Sequence, residues 1–343
     1  MKILKPAFIL LAIAWCHINI SAQASDSVLI ELRNQFAVSY LEPSAHFALA
    51  KYYLDHGDKL QAFYIIEYAR KYRFKEEDFD ASHKAFFGDP MPEPSNEAKD
   101  AFKAGFDLVE QKKFDEAEPF LINAARIGKS FYIDAWVGRY YYKAKNNKAK
   151  ALSYYFDSYF LYPHAYETEY VEARIKNITL EDADSMYTML RREMSPAQLT
   201  KDRNPLIVTK AIDEMVKDWK PKYVNLMLDA MASDDSVVRW LAYAVVLEKA
   251  GPRLDEILTS LLADKDLRKR GLAAYGIAGR WKGRGLETLT GMLSDPAELI
   301  RFDAVSALLA SGGPAGKQIL RTHMRTERNE RLMSLIADAL AGK

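Results

Sequence analysis

The chain has 343 residues, with 48 lysines and arginines against 47 aspartates and glutamates, and it contains one cysteine. Hydrophobic residues make up 49% and charged residues 28%, values that exclude a disordered chain and a polytopic membrane protein. The net charge of +1 gives no overall reason to expect a nucleic-acid ligand, so the composition indicates a globular protein.

Residues 1–24 have the pattern of a secretory signal peptide. Two lysines precede an apolar run over 6–15, and an Ala-Gln-Ala cleavage site ends the segment at Ala24. The apolar run is much shorter than the roughly 20 residues that span a bilayer, which disfavours an uncleaved anchor. A lipoprotein cleaved before Cys16 is the other alternative, although Trp15 occupies a place where such sites need a small residue. Cleavage after Ala24 would leave the mature chain without cysteine and therefore without disulfides.

A helix-pair pattern with small residues at fixed offsets repeats three times over residues 45–163. Two antiparallel helices approach closely only where Ala or Gly lies at their crossing, so the small residues mark the predicted seams. The predicted facing pairs are Ala50 with Ala62, Gly105 with Ala117, and Gly138 with Ala151. This pattern resembles the tetratricopeptide repeat (TPR), and the resemblance implies stacked helix pairs that offer a concave groove.

The repeat is interrupted between its first two copies. Residues 76–87 predict an additional helix with acidic residues in its first turn. The segment 89–94 then places three prolines within five residues, and proline cannot continue a helix. The TPR-like array, assigned to residues 25–163, is therefore predicted to break at 89–94.

A second repeat takes over at about residue 221, marked by four arginines at intervals of 31, 31 and 30 residues. Each arginine opens an apolar helix and follows an acidic turn, and a glycine after each helix suits a C-terminal cap. The arginines are Arg239, Arg270, Arg301 and Arg331, and the glycines are Gly251, Gly279, Gly312 and Gly342.

The segment 221–343 resembles HEAT repeats of the short bacterial type that also occurs in phycobilisome lyases. That family's aspartate before the inter-helix turn and arginine after it are both present. The resemblance implies that each arginine bonds an aspartate or a turn carbonyl of its own unit or a neighbouring one. An anion-binding stripe is the alternative interpretation of the four arginines.

Residues 164–220 join the two arrays and predict further helices. Thr179, Ser195 and Asn204 are predicted N-caps, and the last two stand before a proline at the first helical position. No stretch shows the sustained period of two that marks a strand. The sequence therefore predicts an all-α fold, an α-solenoid of antiparallel helix pairs, with 164–220 as a helical adaptor.

The sequence offers no candidate for catalysis, for a metal or for a cofactor. None of the six histidines has a partner at metal-ligand spacing, and no nucleotide-binding or hydrolase motif occurs. The glycine-rich run 279–285 follows no predicted strand and is interpreted as an inter-helix loop. We therefore expect no catalytic residue, no bound metal and no cofactor.

Aromatic and basic side chains are the candidates for contacts with a partner. Fifteen of the 20 tyrosines lie between residues 45 and 170, where rings on a concave face would grip a peptide. The alternative is that these rings pack between the repeats. A basic cluster with one tryptophan lies in the glycine-rich run. The predicted partner-binding residues are Tyr52, Tyr64, Tyr142, Tyr159, Arg280, Trp281, Lys282 and Arg284.

Charge is distributed unevenly along the chain. Residues 236–343 carry 17 basic and 12 acidic side chains, whereas residues 25–235 have a net charge of −6. A basic C-terminal half suits an anionic envelope surface or an acidic partner protein. Nucleic acid is not expected as a partner, because an exported protein rarely meets it.

These patterns together predict a non-enzymatic interaction scaffold or adaptor of the bacterial cell envelope. It would work in the periplasm and bind segments of partner proteins in its solenoid grooves. One alternative is an enzyme or accessory subunit that acts on cell-wall or envelope substrates. Another is attachment to an envelope surface through the basic C-terminal half. Secretion and association with the outer membrane are the alternative locations.

Overall fold

The computed structural model describes residues 27–72, 74–88, 93–161 and 166–342, and these residues form helices with no β-strand among them. The helices are α1 Ser27–Val38, α2 Pro43–Asp55, α3 Lys59–Tyr72, α4 Glu76–Phe87, α5 Asn96–Glu110, α6 Phe114–Gly128, α7 Phe131–Lys143, α8 Lys148–Leu161, α9 Tyr166–Leu190, α10 Pro196–Leu199, α11 Pro205–Lys217, α12 Tyr223–Ala230, α13 Ser236–Lys249, α14 Leu254–Leu262, α15 Leu267–Arg280, α16 Lys282–Met292, α17 Glu298–Ser311, α18 Gly313–His323 and α19 Glu330–Ala341. The predicted all-α solenoid of antiparallel helix pairs is confirmed. The predicted signal peptide, with Cys16, lies outside the described residues, as do residues 89–92 of the predicted break.

The described residues form two compact units. Unit 1 comprises residues up to 74 together with residues 191–343, and unit 2 comprises residues 75–190. The first TPR-like copy, which becomes α2 and α3, therefore belongs to the same unit as the HEAT-like repeats. This grouping differs from the sequence-based division at 163 and 220, and the boundaries of the repeat types stay predictions.

Close helix crossings in unit 2 depend on two glycines. A Cβ atom at Gly105 would lie 2.7 Å from Leu121 Cδ2, and one at Gly138 would lie 2.7 Å from Tyr155 Cδ1. A neighbouring side chain would have to shift at these distances, so glycine allows the close approach where α5 crosses α6 and where α7 crosses α8. The atoms nearest to such a Cβ belong to Leu121 and Tyr155, and the facing pairs with Ala117 and Ala151 stay predictions.

Two of the three predicted N-caps form. The Ser195 side chain accepts a hydrogen bond from Gln198 N–H, and the Asn204 side chain accepts one from Leu206 N–H. Thr179 lies inside the 25-residue helix α9, where its hydroxyl donates to Ile175 O at 2.7 Å. The Thr179 prediction was wrong because a threonine hydroxyl also finds an acceptor one turn back within a helix.

The four repeat arginines in unit 1 make structural contacts. Arg239 donates to Ser233 O at 2.8 Å, and Arg301 donates to Asp295 O at 2.9 Å. Arg301 also pairs with Glu327, and Arg270 pairs with Asp295 at 3.5 Å, which are acids at the start of the next repeat. Arg331 differs, because it pairs with Glu42, 4.0 Å away in the N-terminal segment. Three arginines thus bond as the HEAT resemblance implies.

The predicted glycine caps are confirmed in part. Gly342 ends α19 at φ 76°, and Gly251 follows α13 at φ 57°, so both adopt the left-handed conformation that glycine permits. Gly312 ends α17 with φ −77°, and the left-handed position falls on Gly313 instead. Gly279 lies inside α15 and caps nothing.

The glycine-rich run 279–285 is mostly helical, which corrects its interpretation as a loop. Only Trp281 separates α15 from α16. Glycines are tolerated at the start of a helix because the first N–H groups have no intrahelical partner. A Cβ atom at Gly285 would lie 2.7 Å from Ile277 O, so this glycine allows the close turn between the two helices.

The chain covers part of its own HEAT-like array. We call the side formed by α13, α15, α17 and α19 the Arg-bearing face, because these helices carry the four repeat arginines. Helix α1 packs against α15 and α17. The rings of Tyr40 and Phe302 lie 5.4 Å apart between centroids, and Leu41 N–H donates to Glu298 Oε2 at 3.0 Å. The Arg-bearing face is therefore occupied along α15 and α17 by residues of the same chain.

Candidate functional site

The four tyrosines predicted to bind a partner lie in different environments. Tyr159 is 1% exposed and packs in the core of unit 2, so it presents no surface to a partner. Tyr142 is half-buried and lies under the Arg174 guanidinium, 5.2 Å from its ring centroid. Tyr52 and Tyr64 are half-buried in unit 1, and the ring of Tyr52 stacks on His56 at 4.1 Å. Packing between helices, the alternative left open by the sequence, therefore holds for Tyr159.

Two side chains of the predicted basic cluster donate hydrogen bonds to Asp255, an acid that the sequence did not single out. Asp255 accepts from Arg280 Nε at 2.6 Å and from Trp281 Nε1 at 2.9 Å. The Arg284 guanidinium lies 4.6 Å from the Trp281 ring centroid. Hydrogen bonds from Arg280 and Trp281 lower the pKa of Asp255 below its ordinary value. The structure thus brings Arg280, Trp281 and Arg284 together, but one positive charge is already paired; the side chain of Lys282 lies outside the described residues.

Unit 2 exposes a cluster of aromatic rings that we call the aromatic surface. It consists of Phe102 and Phe106 on α5 and of Tyr132 and Trp136 on α7. Phe102 lies 5.6 Å from Tyr132 and 5.5 Å from Trp136 between ring centroids, and Phe106 lies 5.0 Å from Trp136. Tyr132 is 48% exposed and the other three rings are half-buried.

The sequence spacing explains the aromatic surface. Both ring pairs are four residues apart, which places the two members of each pair on one face of a helix. The count of tyrosines did not reveal this cluster, because the decisive signal is the spacing of mixed aromatic types on α5 and α7.

Unit 1 contains an open cleft of about 420 Å³ between its N-terminal helices and the segment 200–238. The turn before α3 contributes Asp58, the first turn of α3 contributes Gln61, and the turn between α10 and α11 contributes Asp202 and Arg203. Its volume lies within the range of about 300–1,000 Å³ that is typical of small-ligand sites.

The floor of the cleft is a buried ionic cluster around Asp234, which we call the Asp234 cluster. The Asp234 carboxylate accepts from Arg33 Nε at 2.9 Å and from Arg33 Nη2 at 2.6 Å. The Tyr53 hydroxyl and Arg268 Nη1 also donate to this carboxylate. Burial alone would raise the pKa of Asp234, but the charges of Arg268 and Arg33 outweigh burial and lower it to about 2. The cluster therefore stays ionised and links α1, α2 and α15 to the turn before α13.

Two further carboxylates on the cleft wall have the opposite pKa shift. Burial raises the pKa of Asp58 and of Asp202 above the ordinary value of an aspartate. Asp58 Oδ1 accepts from Gln61 N–H at 3.1 Å, and Asp202 Oδ1 accepts from Asn204 N–H at 2.8 Å. These bonds orient both carboxylates without neutralising their charge.

The described residues contain no group of three or more His, Cys, Asp or Glu side chains that is arranged to hold a metal ion. In the same part of the chain, no helix has both the length and the apolar character needed to cross a bilayer.

One protein family matches the chain. The family model of HEAT repeats matches residues 254–341, which comprise α14 to α19. The C-terminal part of the chain is built of HEAT-like repeats. No curated protein and no solved structure matches the chain. The predicted HEAT-like repeats are thus confirmed over this segment, and the TPR-like character of the N-terminal half stays a prediction.

Proposed function

We propose that this protein is a non-enzymatic scaffold that binds partner proteins, with the aromatic surface of unit 2 as a principal contact. HEAT repeats and a helical solenoid fit such a role, because stacked helix pairs present extended surfaces to other proteins. The observation that carries the proposal is the exposed cluster of Phe102, Phe106, Tyr132 and Trp136. Large aromatic rings dominate the binding energy of many protein interfaces.

The aromatic surface suits an extended or helical segment of a partner. Its four rings lie on two neighbouring helices, so a bound segment would contact both α5 and α7. The TPR-like pattern in the sequence supports the same assignment, since the resemblance implies that stacked helix pairs offer a concave groove. Tyr132 and Trp136 also carry polar edge groups, which allow a partner backbone to hydrogen-bond at an otherwise apolar contact.

We place the protein in the periplasm of a bacterium, as a component of the cell envelope. This part of the proposal rests on the sequence of residues 1–24, with its basic start, apolar run and Ala-Gln-Ala site. Secretion and association with the outer membrane are the alternative locations. Fractionation of the native host separates the three, and recovery of the full-length, uncleaved chain from the cytoplasm would contradict export.

The experiment that tests the scaffold is crosslinking of the tagged full chain in the native host, followed by mass spectrometry. The double variant Tyr132→Ala with Trp136→Ala is compared with the wild type. Phe120→Ala serves as the matched control, because Phe120 is an aromatic residue on α6 of the same unit that is 44% exposed. We expect the double variant to lose specific partners and the control to retain them. Recovery of no specific partner by the wild type would overturn the proposal.

A further inference from the structure

Two glutamines at the same position of a helix start behave differently in unit 1. In Ser195-x-x-Gln198, the Ser195 N–H donates to Gln198 Oε1 at 2.9 Å, so the glutamine closes a capping box. Asp58-x-x-Gln61 has the same spacing at the start of α3. There the Asp58 N–H donates to Tyr53 O at 2.8 Å, so it does not bond the Gln61 side chain. The Gln61 side-chain oxygen therefore does not accept the capping-box bond that this spacing favours.

Gln61 is one of the residues that line the cleft. The residue is 6% exposed, and its buried Nε2 has no acceptor among the described residues. A buried donor without an acceptor costs free energy in the folded protein. An acceptor atom of a ligand in the cleft would remove that cost, which makes Gln61 an observation in favour of a ligand.

The charges of the cleft indicate what kind of ligand fits. Asp58 and Asp202 are half-buried, whereas Lys201, Arg203 and Asp229 are exposed, so the interior is acidic and the rim carries charges of both signs. Arg33, the other cation of the lining, donates three hydrogen bonds to Asp234. Burial raises the pKa of both Asp58 and Asp202 and outweighs their backbone hydrogen bonds and the nearby charge of Arg203, so a further cation that enters the cleft would stabilise both carboxylates.

We propose that the cleft binds a lysine or arginine residue of a partner polypeptide. Its cationic head would lie against Asp58 and Asp202, and a backbone carbonyl beside it would accept from Gln61 Nε2. This rests on the proposed function in one respect, that the partner is a protein. It adds a second site, in unit 1, with a defined chemistry of recognition.

Calorimetric titration of the full chain with small probes tests this chemistry directly. The probes are Nα-acetyl-arginine methylamide, its lysine analogue, its neutral norleucine analogue, and agmatine, which has a guanidinium group but no amide. We expect the arginine and lysine probes to bind, with an affinity that falls as salt rises. We expect the norleucine probe not to bind, and agmatine to bind at least tenfold more weakly. Equal binding of norleucine overturns the cationic site, and equal binding of agmatine overturns the assignment to a polypeptide.

Two variants test the named residues. Gln61→Met keeps the length of the side chain but removes the donor, and Asp202→Asn removes a charge. Each is expected to weaken the arginine probe at least tenfold. Gln318→Met and Asp338→Asn make the same changes at exposed positions of α18 and α19 and are expected to leave binding unchanged. Unchanged affinity in Gln61→Met overturns the proposal, provided that thermal melting shows the variant to be folded.

The crosslinking experiment separates this proposal from the proposed function. If the wild type recovers specific partners but binds none of the probes, the cleft proposal fails and the scaffold stands. If the probes bind as expected but no partner is recovered, the scaffold fails while the chemistry of the cleft is retained. The aromatic double variant is expected to bind the arginine probe with wild-type affinity, since its substitutions lie in the other unit.

Discussion

The Arg-bearing face of unit 1 and the aromatic surface of unit 2 are both formed by alternate helices of the chain, but they differ in what covers them. Helix α1 and the turn after it cover the Arg-bearing face along α15 and α17. In the aromatic surface, by contrast, one ring is exposed and the other three are half-buried. A periodic pattern therefore predicts that helices stack, but it does not predict whether a given face is closed by the chain itself. The face that the chain closes is an internal interface, and the open one is available to a partner.

The Asp234 cluster fixes helix α1 to the rest of unit 1. Among the variants considered, disrupting this cluster should lower the free energy of unfolding the most. Asp234→Ala leaves the buried guanidinium group of Arg268 and the half-buried guanidinium group of Arg33 without their shared carboxylate. Removing one partner of a buried ion pair costs about 3–5 kcal/mol, and we expect a loss of this size in the free energy of unfolding measured with urea. Asp255→Asn, which breaks an exposed pair, should have a much smaller effect on the free energy of unfolding. Similar losses in the two variants would show that the cluster does not fix α1.

The packing of α1 on unit 1 is tested by two neighbouring residues. Leu29 is fully buried, whereas Ile30 is 47% exposed. Leu29→Ala should destabilise the protein by about 2–5 kcal/mol, because it leaves a cavity in the interface. Ile30→Ala should change stability by less than about 1 kcal/mol. If both variants have the same small effect on the urea midpoint, α1 does not cover the Arg-bearing face in solution.

Low pH should weaken the Asp234 cluster. The folded-state pKa of Asp234 is about 2, below the ordinary value of 3.8. Ionised Asp234 therefore contributes stability that is present above about pH 4 and is lost as the pH falls towards 2, and its size is about 2 kcal/mol. Unfolding free energies of the wild type and of Asp234→Asn, measured between pH 6 and pH 3, should converge as the pH falls. A constant difference across this range would contradict the assignment.

The open surface of unit 2 depends on the close helix crossings behind it. Gly138→Ala places a Cβ atom 2.7 Å from the ring of the buried Tyr155, so the helices must move apart. We expect a destabilisation of at least about 1 kcal/mol, together with weaker partner binding, because α7 carries Tyr132 and Trp136. Gly291→Ala in α16 meets no atom within 4 Å and should leave stability unchanged or raise it slightly. Equal thermal midpoints of the two variants would exclude a role for the crossing.

The sequence predicted the elements of both units better than their surfaces. Helix pairs, glycines at crossings and the spacing of Arg239, Arg270 and Arg301 follow from local periodicity, which the sequence contains directly. The contact of Arg33 with Asp234 joins residues 201 positions apart, and no periodic signal links them. The cleft depends on the same kind of long-range contact, since its walls come from the turn before α3 and the turn before α11. Gln61 could not be recognised from the sequence as a residue with an unsatisfied donor. Its spacing from Asp58 is compatible with a capping box, and only the bond from Asp58 N–H to Tyr53 O in the folded chain shows that no such box forms.

The smallest expected effect concerns the cleft of unit 1. Gln61→Met removes a buried donor that has no acceptor among the described residues and replaces it with an apolar side chain of similar length. We expect this variant to be more stable than the wild type, by about 1 kcal/mol, because the unmet donor disappears. Most substitutions of buried residues destabilise, so a gain in the urea midpoint is a specific outcome. The gain should vanish when both proteins are measured with the saturating arginine probe, since the probe satisfies the donor in the wild type alone. A loss of stability without the probe would show that the Gln61 amide already has a hydrogen-bond acceptor within the fold. The cleft would then resemble the covered face, where the chain itself satisfies its polar groups.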